Sequence, residues 1–320
     1  MSCTRLAPSP TGALHLGNVR TFLANWALAR RKGWRIVLRI EDLDGPRVKT
    51  QAAAEAIETL RWLGIDWDDG PSYQRADLAP YRAALARLVK RGWAYPCRCT
   101  RREIEAAAMS APHGDEHELR YPGTCRPSAS PARGGAEASA ADVEGAAWRL
   151  IAPAGVTTFV DEFAGRHSHD VSATTGDFLV ATKEGLPSYQ LAVVVDDARQ
   201  GIDCVVRGDD LLGSTHRQRL LYERLELGPP PRHWHVPLVV GADGRRLAKR
   251  HGDTRASRYR ERGVPPERLI GLVAAWCGLG PRRELAATEF AEQFDLDSLP
   301  RTPITFTPAD DAWLLAAGRG

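Results

Sequence analysis

The sequence predicts an α/β fold with a parallel sheet of the nucleotide-binding type. Short apolar runs have the length and composition of buried strands, and longer stretches with apolar residues at helical spacing lie between them. The runs are RIVLRI at 35–40, DFLV at 177–180, LAVVVDD at 191–197 and CVVRG at 204–208. At 320 residues the chain is long enough to bury a full core in one large domain or two smaller ones.

The N-terminal segment is a second indication of this fold. A strand ending at 4–7 is followed by Pro8, Pro10 and Gly12, which interrupt regular structure, and then by a helix over about residues 17–32. A strand, a Pro/Gly loop and a helix N-terminus together form an anion-binding site, because free backbone N–H groups and the helix dipole point at the ligand.

The remaining elements follow from periodicity and from Gly and Pro boundaries. Residues 65–75, IDWDDGPSYQR, are predicted to be a loop across the sheet edge, and residues 148–161 a strand, a turn and a second strand. Ser214 and Thr215 are predicted to cap a helix over 215–227. Further helices are expected at 50–63, 77–91, 266–278 and 287–294.

Composition and charge restrict the class of protein. The net charge of +3 and the pI of about 8.6 permit nucleic-acid binding without requiring it. No apolar run approaches the length of roughly 18 residues needed to span a bilayer, and no signal segment is recognisable. We therefore expect a cytoplasmic protein with no membrane partner, and nothing predicts more than a monomer. Three scattered cysteines, Cys3, Cys204 and Cys277, are expected to be small core residues.

The segment RLAPSPTGALHLGN, residues 5–18, resembles the HIGH signature of class I aminoacyl-tRNA synthetases in its glutamyl form, PSPTGxLHxG. In that family this loop binds ATP, and its histidine stabilises charge that develops on the α-phosphate. The resemblance implies that His15 is catalytic and that Pro10, His15, Gly17 and Asn18 bind ATP.

Acidic residues follow the apolar run at 35–40, at the end of a predicted parallel strand. On composition alone they could simply solvate a turn, although ligands bind at this end of open α/β sheets. RIEDLD, residues 39–44, also resembles the next glutamyl-synthetase block, in which the glutamate binds the amino group of the amino-acid substrate. The resemblance implies this role for Glu41, and an ammonium group needs such a carboxylate in a partly dry site.

A third block, YQLAVVVDD followed by VVRGDDLL, also matches glutamyl and glutaminyl synthetases. The resemblance implies that Tyr189 and Arg207 line the amino-acid pocket, together with Arg5, Ala7 and Ser9 from the first block. A dicarboxylic amino acid needs a cation for its side chain, and arginine has the fork geometry that suits a carboxylate. Without this context Arg207 would be read as an ordinary surface ion pair.

The basic loop in VPLVVGADGRRLAKRHGD, residues 236–253, lies where class I synthetases carry KMSKS. A basic loop is usually only solvated. The resemblance implies that Arg246, Leu247 and Lys249 bind ATP and that Lys249 is catalytic toward the leaving pyrophosphate. The sequence departs from KMSKS, since the first Lys is Arg, the first Ser is Ala and the last Ser is Arg.

Cysteines cluster in the middle of the chain. Cys97, Cys99 and Cys125 are plausible zinc ligands, since zinc takes four tetrahedral N, S or O ligands. On chemistry alone the fourth ligand is open, because His113 and His117 lie between the cysteines, and three reduced cysteines without metal are also possible. The pattern CxC…YxxxC resembles the zinc site of short glutamyl-synthetase paralogues, in which the Tyr is a ligand, and this implies Tyr121.

The blocks agree in order and spacing over roughly 1–318, outside the Ala/Gly/Ser/Pro-rich stretch 127–146, which is expected to be a flexible insertion. The resemblance implies a Rossmann-like class I catalytic domain with an inserted zinc-binding subdomain of the kind that grips the tRNA acceptor end. The expected segments are a first catalytic half at 1–96, the insertion at 97–175, a second catalytic half at 176–253 and a helical C-terminal segment at 254–320, with no anticodon-binding domain.

The implied chemistry is activation of L-glutamate by ATP, with Mg²⁺ expected and Zn²⁺ structural. The length and the cysteine arm resemble paralogues that transfer the glutamate to the queuosine base in the anticodon loop of tRNA(Asp). The alternatives are a truncated enzyme that charges the 3′ end of tRNA(Glu) and a non-catalytic tRNA-binding relic. A relic has no need to keep His15, Glu41, Arg207 and Lys249 together.

Overall fold

The computed structural model describes residues 1–44, 48–109, 120–128, 145–247 and 252–316. The strands are β1 Cys3–Leu6, β2 Arg35–Ile40, β3 Asp69–Tyr73, β4 Ala94–Cys97, β5 Ala147–Leu150, β6 Thr157–Asp161, β7 Gly165–His169, β8 Phe178–Ala181, β9 Cys204–Gly208, β10 Arg232–Val236, β11 Val239–Val240 and β12 Ile304–Thr305. The helices are α1 Leu16–Arg31, α2 Thr50–Trp62, α3 Ala79–Lys90, α4 Arg101–Met109, α5 Val171–Thr174, α6 Tyr189–Gln200, α7 Leu212–Leu225, α8 Ala256–Glu261, α9 Pro266–Trp276, α10 Ala287–Gln293 and α11 Pro308–Leu315.

The predicted parallel sheet is present. β2 pairs in parallel with β1 on one side and with β3 on the other, and β9 pairs in parallel with β10. The backbone N–H of Asp203, just before β9, donates to the carbonyl of Cys3 at 3.1 Å, which brings β9 beside β1. The strands therefore lie in the order β3, β2, β1, β9, β10. Chain order reverses between β1 and β9, which is where open α/β sheets bind ligands.

Helix α1 covers this sheet as the sequence predicts. Val19, Leu23 and Trp26 are buried in the main core. The helix ends at Arg31, and Gly33 follows with a φ of 63°. The helix thus brings its N-terminus to the carboxyl end of β1, because the connecting loop is short.

The interpretation of residues 191–197 as a strand is wrong. They lie inside helix α6, where every residue from Leu191 to Asp197 is buried. The Ser188 hydroxyl accepts a hydrogen bond from the N–H of Leu191, and Gly201 ends the helix with a left-handed φ of 68°. A short apolar run that is buried on all sides gives no periodicity that distinguishes helix from strand.

Two further interpretations are corrected. Residues 65–75 are not only a loop, because β3 pairs in parallel with β2, with Ser72 opposite Arg39. Its Gly and Pro residues hid the strand, which lies at the sheet edge where Pro is tolerated. Ser214 and Thr215 do not cap α7, which begins at Leu212. The short helices α8 and α11 were not predicted.

A second sheet lies beside the first, with β5 antiparallel between β4 and β8. Strand β4 crosses the proposed boundary at 96/97, β5 lies in the proposed insertion and β8 lies just after the boundary at 175/176. One sheet thus joins the proposed insertion to both proposed catalytic halves. β6 and β7 form a separate hairpin within the proposed insertion. Most of the 127–146 stretch lies outside the described residues. Among those that are described, no helix has the length and apolar character needed to cross a bilayer.

Candidate functional site

A pocket with a volume of about 1550 Å³ opens at the carboxyl ends of β1 and β9, at the reversal of strand order. Most of the predicted substrate-binding residues line it: Arg5, Ala7, Ser9, His15, Gly17, Asn18, Glu41, Tyr189, Arg207, Arg246 and Leu247. Pro10 is buried outside this lining, and its carbonyl accepts a hydrogen bond from the N–H of Lys49 at 3.0 Å. Lys249 lies outside the described residues.

His15 is the N-cap of helix α1. Its Nδ1 accepts a hydrogen bond from the N–H of Asn18 at 3.3 Å, and the Asn18 side chain accepts one from the N–H of His15 at 3.2 Å. A side chain at position 17 would place its Cβ 3.1 Å from the imidazole ring of His15, so a glycine here leaves room for the ring. Burial and the charge of Arg246 lower the pKa of His15 to about 4. The neutral ring therefore carries its proton on Nε2, where it is free to donate.

Glu41 lies on the floor of the pocket in a buried ion-pair network. Its Oε1 accepts from Arg39 Nη2 at 3.2 Å, and the same Nη2 lies 2.8 Å from Asp197 Oδ1. Asp197 in turn lies 3.5 Å from Nε of Arg5. Burial raises the pKa of Glu41 overall, and the opposing effects of Arg39 and Arg5 offset this only in part. The geometry gives a carboxylate that faces the pocket and is held from behind by a cation.

Arg207 projects from β9 as the second buried cation of the pocket. Its Nε donates to His235 Nε2 at 3.0 Å, and its Nη2 donates to Thr215 Oγ1 at 2.8 Å and Gln218 Oε1 at 2.9 Å. Nη1 is buried and has no hydrogen-bond partner among the described residues. An unpaired buried guanidinium group is costly, so Nη1 is a ready donor for a ligand carboxylate.

Tyr189 is the first residue of α6 and covers the pocket from the solvent side, with 39% of its surface exposed. Arg246 lines the pocket from the basic loop, and its Nη1 lies 2.8 Å from Asp210 Oδ2. Leu247, the last residue described before Lys249, is buried and donates its N–H to the Val239 carbonyl at 3.2 Å. The loop that resembles KMSKS thus begins at the rim of the pocket.

The predicted metal ligands meet in a second cluster. The sulfurs of Cys97, Cys99 and Cys125 all lie within 4.8 Å of one another. The hydroxyl of Tyr121 lies 3.4 Å from Cys97 Sγ and 3.7 Å from Cys99 Sγ. The alternative ligands His113 and His117 lie outside the described residues. Three converging thiols and a phenol oxygen have the number and softness of donors that a tetrahedral zinc site requires.

The surroundings of this cluster favour a thiolate at Cys125, whereas burial raises the pKa of Cys99 to about 11. Arg149 Nε donates to Cys97 Sγ at 3.4 Å, and its guanidinium group lies 3.7 Å from the centroid of the Tyr121 ring. Burial raises the pKa of Cys125, but hydrogen bonds from the Tyr121 hydroxyl and the Arg98 backbone lower it to about 7 overall. A nearby cation and a depressed thiol pKa both suit metal binding, which needs deprotonated cysteines.

Sequence reasoning missed the residues behind the pocket. Arg39 and Asp197 connect Glu41 to Arg5, and His235 contacts Arg207. Arg39 and Asp197 lie inside the matching blocks, but only a charged residue in an otherwise apolar run could have pointed to them. His235 lies in the strand RHWHV, whose two histidines in a buried strand were the available signal.

Residues 2–307 match the family described as "tRNA synthetases class I (E and Q), catalytic domain". The match covers most of the chain, so the protein belongs to the class I tRNA synthetases of the glutamate and glutamine group. The fold and the pocket agree with this assignment, because the ligand site lies at the switch point of the parallel sheet beside a glycine-containing helix start.

Two curated relatives narrow the comparison. A glutamyl-Q tRNA(Asp) synthetase of Symbiobacterium thermophilum is 44% identical and is aligned over 99% of both chains. A glutamyl-Q tRNA(Asp) synthetase of Rhodopirellula baltica is 47% identical over 89% of this chain and 88% of the relative. The crystal structure of a glutamate tRNA ligase from Elizabethkingia meningosepticum, in complex with its amino acid, superposes with a TM-score of 0.78 at 25% identity. That superposition covers 98% of this chain and 68% of the ligase.

Proposed function

We propose that this enzyme activates L-glutamate with ATP and transfers it to the queuosine base of tRNA(Asp). Identity of 44% along almost the whole length of a glutamyl-Q tRNA(Asp) synthetase supports the overall reaction. The single structural observation that carries the choice of amino acid is the pair of buried arginines facing one carboxylate in the pocket. Such a site provides cations for a substrate side-chain carboxylate and an anion for its ammonium group.

The amino-acid end of the pocket is assigned residue by residue. Nη1 of Arg207 would donate to the side-chain carboxylate of glutamate, with Arg5 as the second cation. Glu41 would accept from the ammonium group. Ala7 and Ser9 belong to the loop that lines this end, and Tyr189 would shield the substrate from water. A shorter or uncharged side chain would leave Nη1 of Arg207 unpaired, which is the physical basis of selection.

The nucleotide end is assigned to the start of helix α1. The phosphates of ATP would meet the N-terminus of the helix, where Gly17 and Asn18 lie and where Nε2 of His15 can donate. Pro10 would act by shaping the loop. Arg246 and Leu247 would bring the basic loop over the nucleotide, and Lys249 would pair with the leaving pyrophosphate.

In the first step a carboxylate oxygen of glutamate attacks the α-phosphorus of ATP. The new O–P bond forms as the bond to the β-phosphate breaks, and pyrophosphate leaves with the electron pair. The protein positions two anions and neutralises the charge that builds up, which is electrostatic catalysis with no covalent role for the enzyme. In the second step the glutamyl group passes to the base and AMP leaves.

Magnesium would bind with the ATP phosphates. Within the described ranges, the three cysteines are the one cluster of His, Cys, Asp or Glu residues close enough to hold a metal, so the pocket offers no separate cage of acidic ligands. Zinc would bind Cys97, Cys99, Cys125 and Tyr121 as a closed structural site, since all four protein ligands leave no open position for chemistry.

The test is transfer of radiolabelled glutamate to three purified substrates. These are tRNA(Asp) with queuosine, tRNA(Asp) from cells that lack queuosine, and tRNA(Glu). We expect label only on the first. Label on tRNA(Glu) would instead establish a short synthetase that charges the 3′ end. No label on any of the three substrates, together with no glutamate-dependent ATP–pyrophosphate exchange, would establish a non-catalytic relic.

A matched set of variants tests the pocket in the same assay. Arg207→Met removes the proposed carboxylate ligand, whereas Arg232→Met makes the same change at a surface position at the start of β10. We expect the first to abolish glutamate-dependent exchange and the second to retain it. Equal activity of the two variants would contradict the assignment of Arg207.

A further inference from the structure

Contacts from outside strand β9 determine the orientation of the Arg207 guanidinium group. Three of its contacts use Nε and Nη2, and they leave Nη1 as the one nitrogen of the group without a partner in the described part of the chain. A guanidinium group can rotate about its last side-chain bonds. Which nitrogen faces the pocket therefore depends on what holds Nε and Nη2.

His235 holds Nε. The parallel register of β9 and β10 places Arg207 directly opposite His235, and His235 Nε2 accepts from Arg207 Nε at 3.0 Å. The hydroxyl of Thr215 lies 3.2 Å from the same Nε2 and can donate to it. A neutral imidazole accepts on one nitrogen only, so this arrangement requires the proton of His235 to be on Nδ1.

Asp161 sets that tautomer. Its Oδ2 lies 2.6 Å from His235 Nδ1, and neither side chain is reached by solvent. A carboxylate only accepts hydrogen bonds, so the proton between the two groups belongs to Nδ1. Asp161 lies at the end of β6, in the inserted hairpin, and it is 28 or more residues from any residue predicted for the pocket.

The Asp161 carboxylate is itself immobile. Its Oδ1 accepts from the backbone N–H groups of Phe163 at 3.0 Å, Ala164 at 2.8 Å and His235 at 3.1 Å. Burial raises the pKa of Asp161, but these bonds and His235 outweigh it and lower the pKa overall. Burial lowers the pKa of His235, so the ring is neutral when it accepts from Arg207. The direction of each hydrogen bond is thus determined along the chain from Asp161 through His235 to Arg207.

We propose that Asp161 and His235 are positioning residues that orient Arg207 so that Nη1 faces the side-chain carboxylate of the amino-acid substrate. This proposal rests on the proposed function, in which Arg207 binds glutamate. Neither residue lines the pocket, so their effect reaches the substrate only through Arg207.

The test reverses the direction of one hydrogen bond, which joins residue 161 and His235 Nδ1. Asp161→Asn keeps the size of the side chain, but its amide can donate a hydrogen bond to His235 Nδ1. The proton of His235 then moves to Nε2, where it faces the N–H of Arg207 Nε. Two donors then face each other, and the hydrogen bond between His235 and Arg207 is lost. His235→Gln can present its amide N–H to Asp161 and its oxygen to Arg207, which preserves the original order. Glu162→Gln is the matched control, since it makes the same change of charge at the next, exposed residue.

KM for glutamate and KM for ATP are measured by ATP–pyrophosphate exchange, and melting temperatures are recorded for each variant. We expect Asp161→Asn to raise KM for glutamate by about 10-fold to 100-fold, as for a displaced binding group, with KM for ATP within about twofold of wild type. His235→Gln and Glu162→Gln should stay near wild type. An unchanged KM for glutamate in Asp161→Asn, or equal increases for glutamate and ATP, would overturn the proposal.

A direct measurement covers the case in which Asp161→Asn does not fold. Nitrogen NMR of histidine-labelled wild-type enzyme, with His235→Gln used to assign the signal, should show a neutral His235 protonated on Nδ1. A proton on Nε2 would overturn the proposal. Failure of the proposed function is distinguishable, because Arg207→Met would then leave KM for glutamate unaltered whatever the tautomer of His235.

Discussion

Nη2 of Arg39 lies 2.8 Å from Oδ1 of Asp197 in an ion pair beneath the pocket that solvent barely reaches. The same guanidinium group contacts Glu41 at 3.2 Å and lies 3.9 Å from Asp196. One buried cation therefore lies beside three buried carboxylates. Because Asp197 also contacts Arg5, the charge balance of the whole amino-acid pocket depends on Arg39.

Replacing Arg39 should destabilise the fold strongly. Arg39→Met keeps an unbranched apolar stem but removes the cation that pairs with Glu41 and Asp197. Breaking a buried pair in this way costs roughly 3–5 kcal/mol. We expect a fall of that size in the free energy of unfolding, measured by urea denaturation. Arg35→Met is the control, since the Arg35–Asp69 pair is about half-exposed and such pairs contribute little. Equal losses in both variants would contradict the account.

Zinc should copurify with the enzyme at about one ion per chain. Cys125→Ala removes one of the converging thiols, so we expect it to lose the metal, whereas Cys204→Ala, at a buried cysteine of β9, should retain it. Mass spectrometry of metal content measures both. A wild-type enzyme without zinc, prepared in the absence of chelators, would contradict the site.

The fourth zinc ligand can be decided separately. The Tyr121 hydroxyl lies against two of the cysteines, so Tyr121→Phe should release zinc to a chelator faster than wild type does. His113→Ala and His117→Ala test the alternative ligands and should release it at the wild-type rate. The opposite pattern would assign the ligand to a histidine.

Lys249→Ala should lower activation sharply. A charged contact made only in the transition state is worth about 10²–10³ in rate, so glutamate-dependent ATP–pyrophosphate exchange should fall by that factor. Glutamate binding, measured by calorimetry, should be nearly unchanged. Arg245→Ala removes an exposed cation of the same loop and should have little effect. Unaltered exchange in Lys249→Ala would disprove its assignment.

Stability should fall as the pH drops from about 6.5 to about 4. Burial, with help from His169 and His167, lowers the pKa of His216 from 6.5 to about 4. In this window the unfolded chain binds a proton that the folded His216 does not, so acid favours unfolding. We expect His216→Gln to flatten the pH dependence of the free energy of unfolding by on the order of 1 kcal/mol per pH unit. An identical slope in wild type and variant would contradict this.

Sequence patterns predicted those helices and strands whose ends are determined by residues nearby in the chain. Helix α1 is an example, since its amphipathic face and Gly33 lie within one short segment. They did not distinguish helix from strand in the apolar run at 191–197, because burial on all sides removes the periodicity. They also missed β3, because its pairing depends on β2, about 30 residues earlier in the chain.

The pocket residues were predictable for a different reason. Arg5, Glu41 and Arg207 lie in blocks that resemble known synthetases, and the fold brings these blocks to one edge of the sheet. Asp161 and His235 have no such block. Their proposed role comes from a contact between a hairpin and a strand that are separated by about 70 residues. The two histidines of β10 were a signal for His235, but nothing in its own segment pointed to Asp161.

The position of Asp161 has a consequence for engineering. By sequence, residues 97–175 form an insertion, and such segments are natural candidates for exchange between relatives as independent modules. The hairpin contributes a group that is two contacts away from Arg207, through His235, and three from the substrate in the proposed complex. A chimaera that takes this segment from a relative without an acid at the position of Asp161 would alter amino-acid selection as well as contacts in the exchanged part. For amino-acid selection, the proposed insertion and the rest of the pocket are therefore best exchanged together.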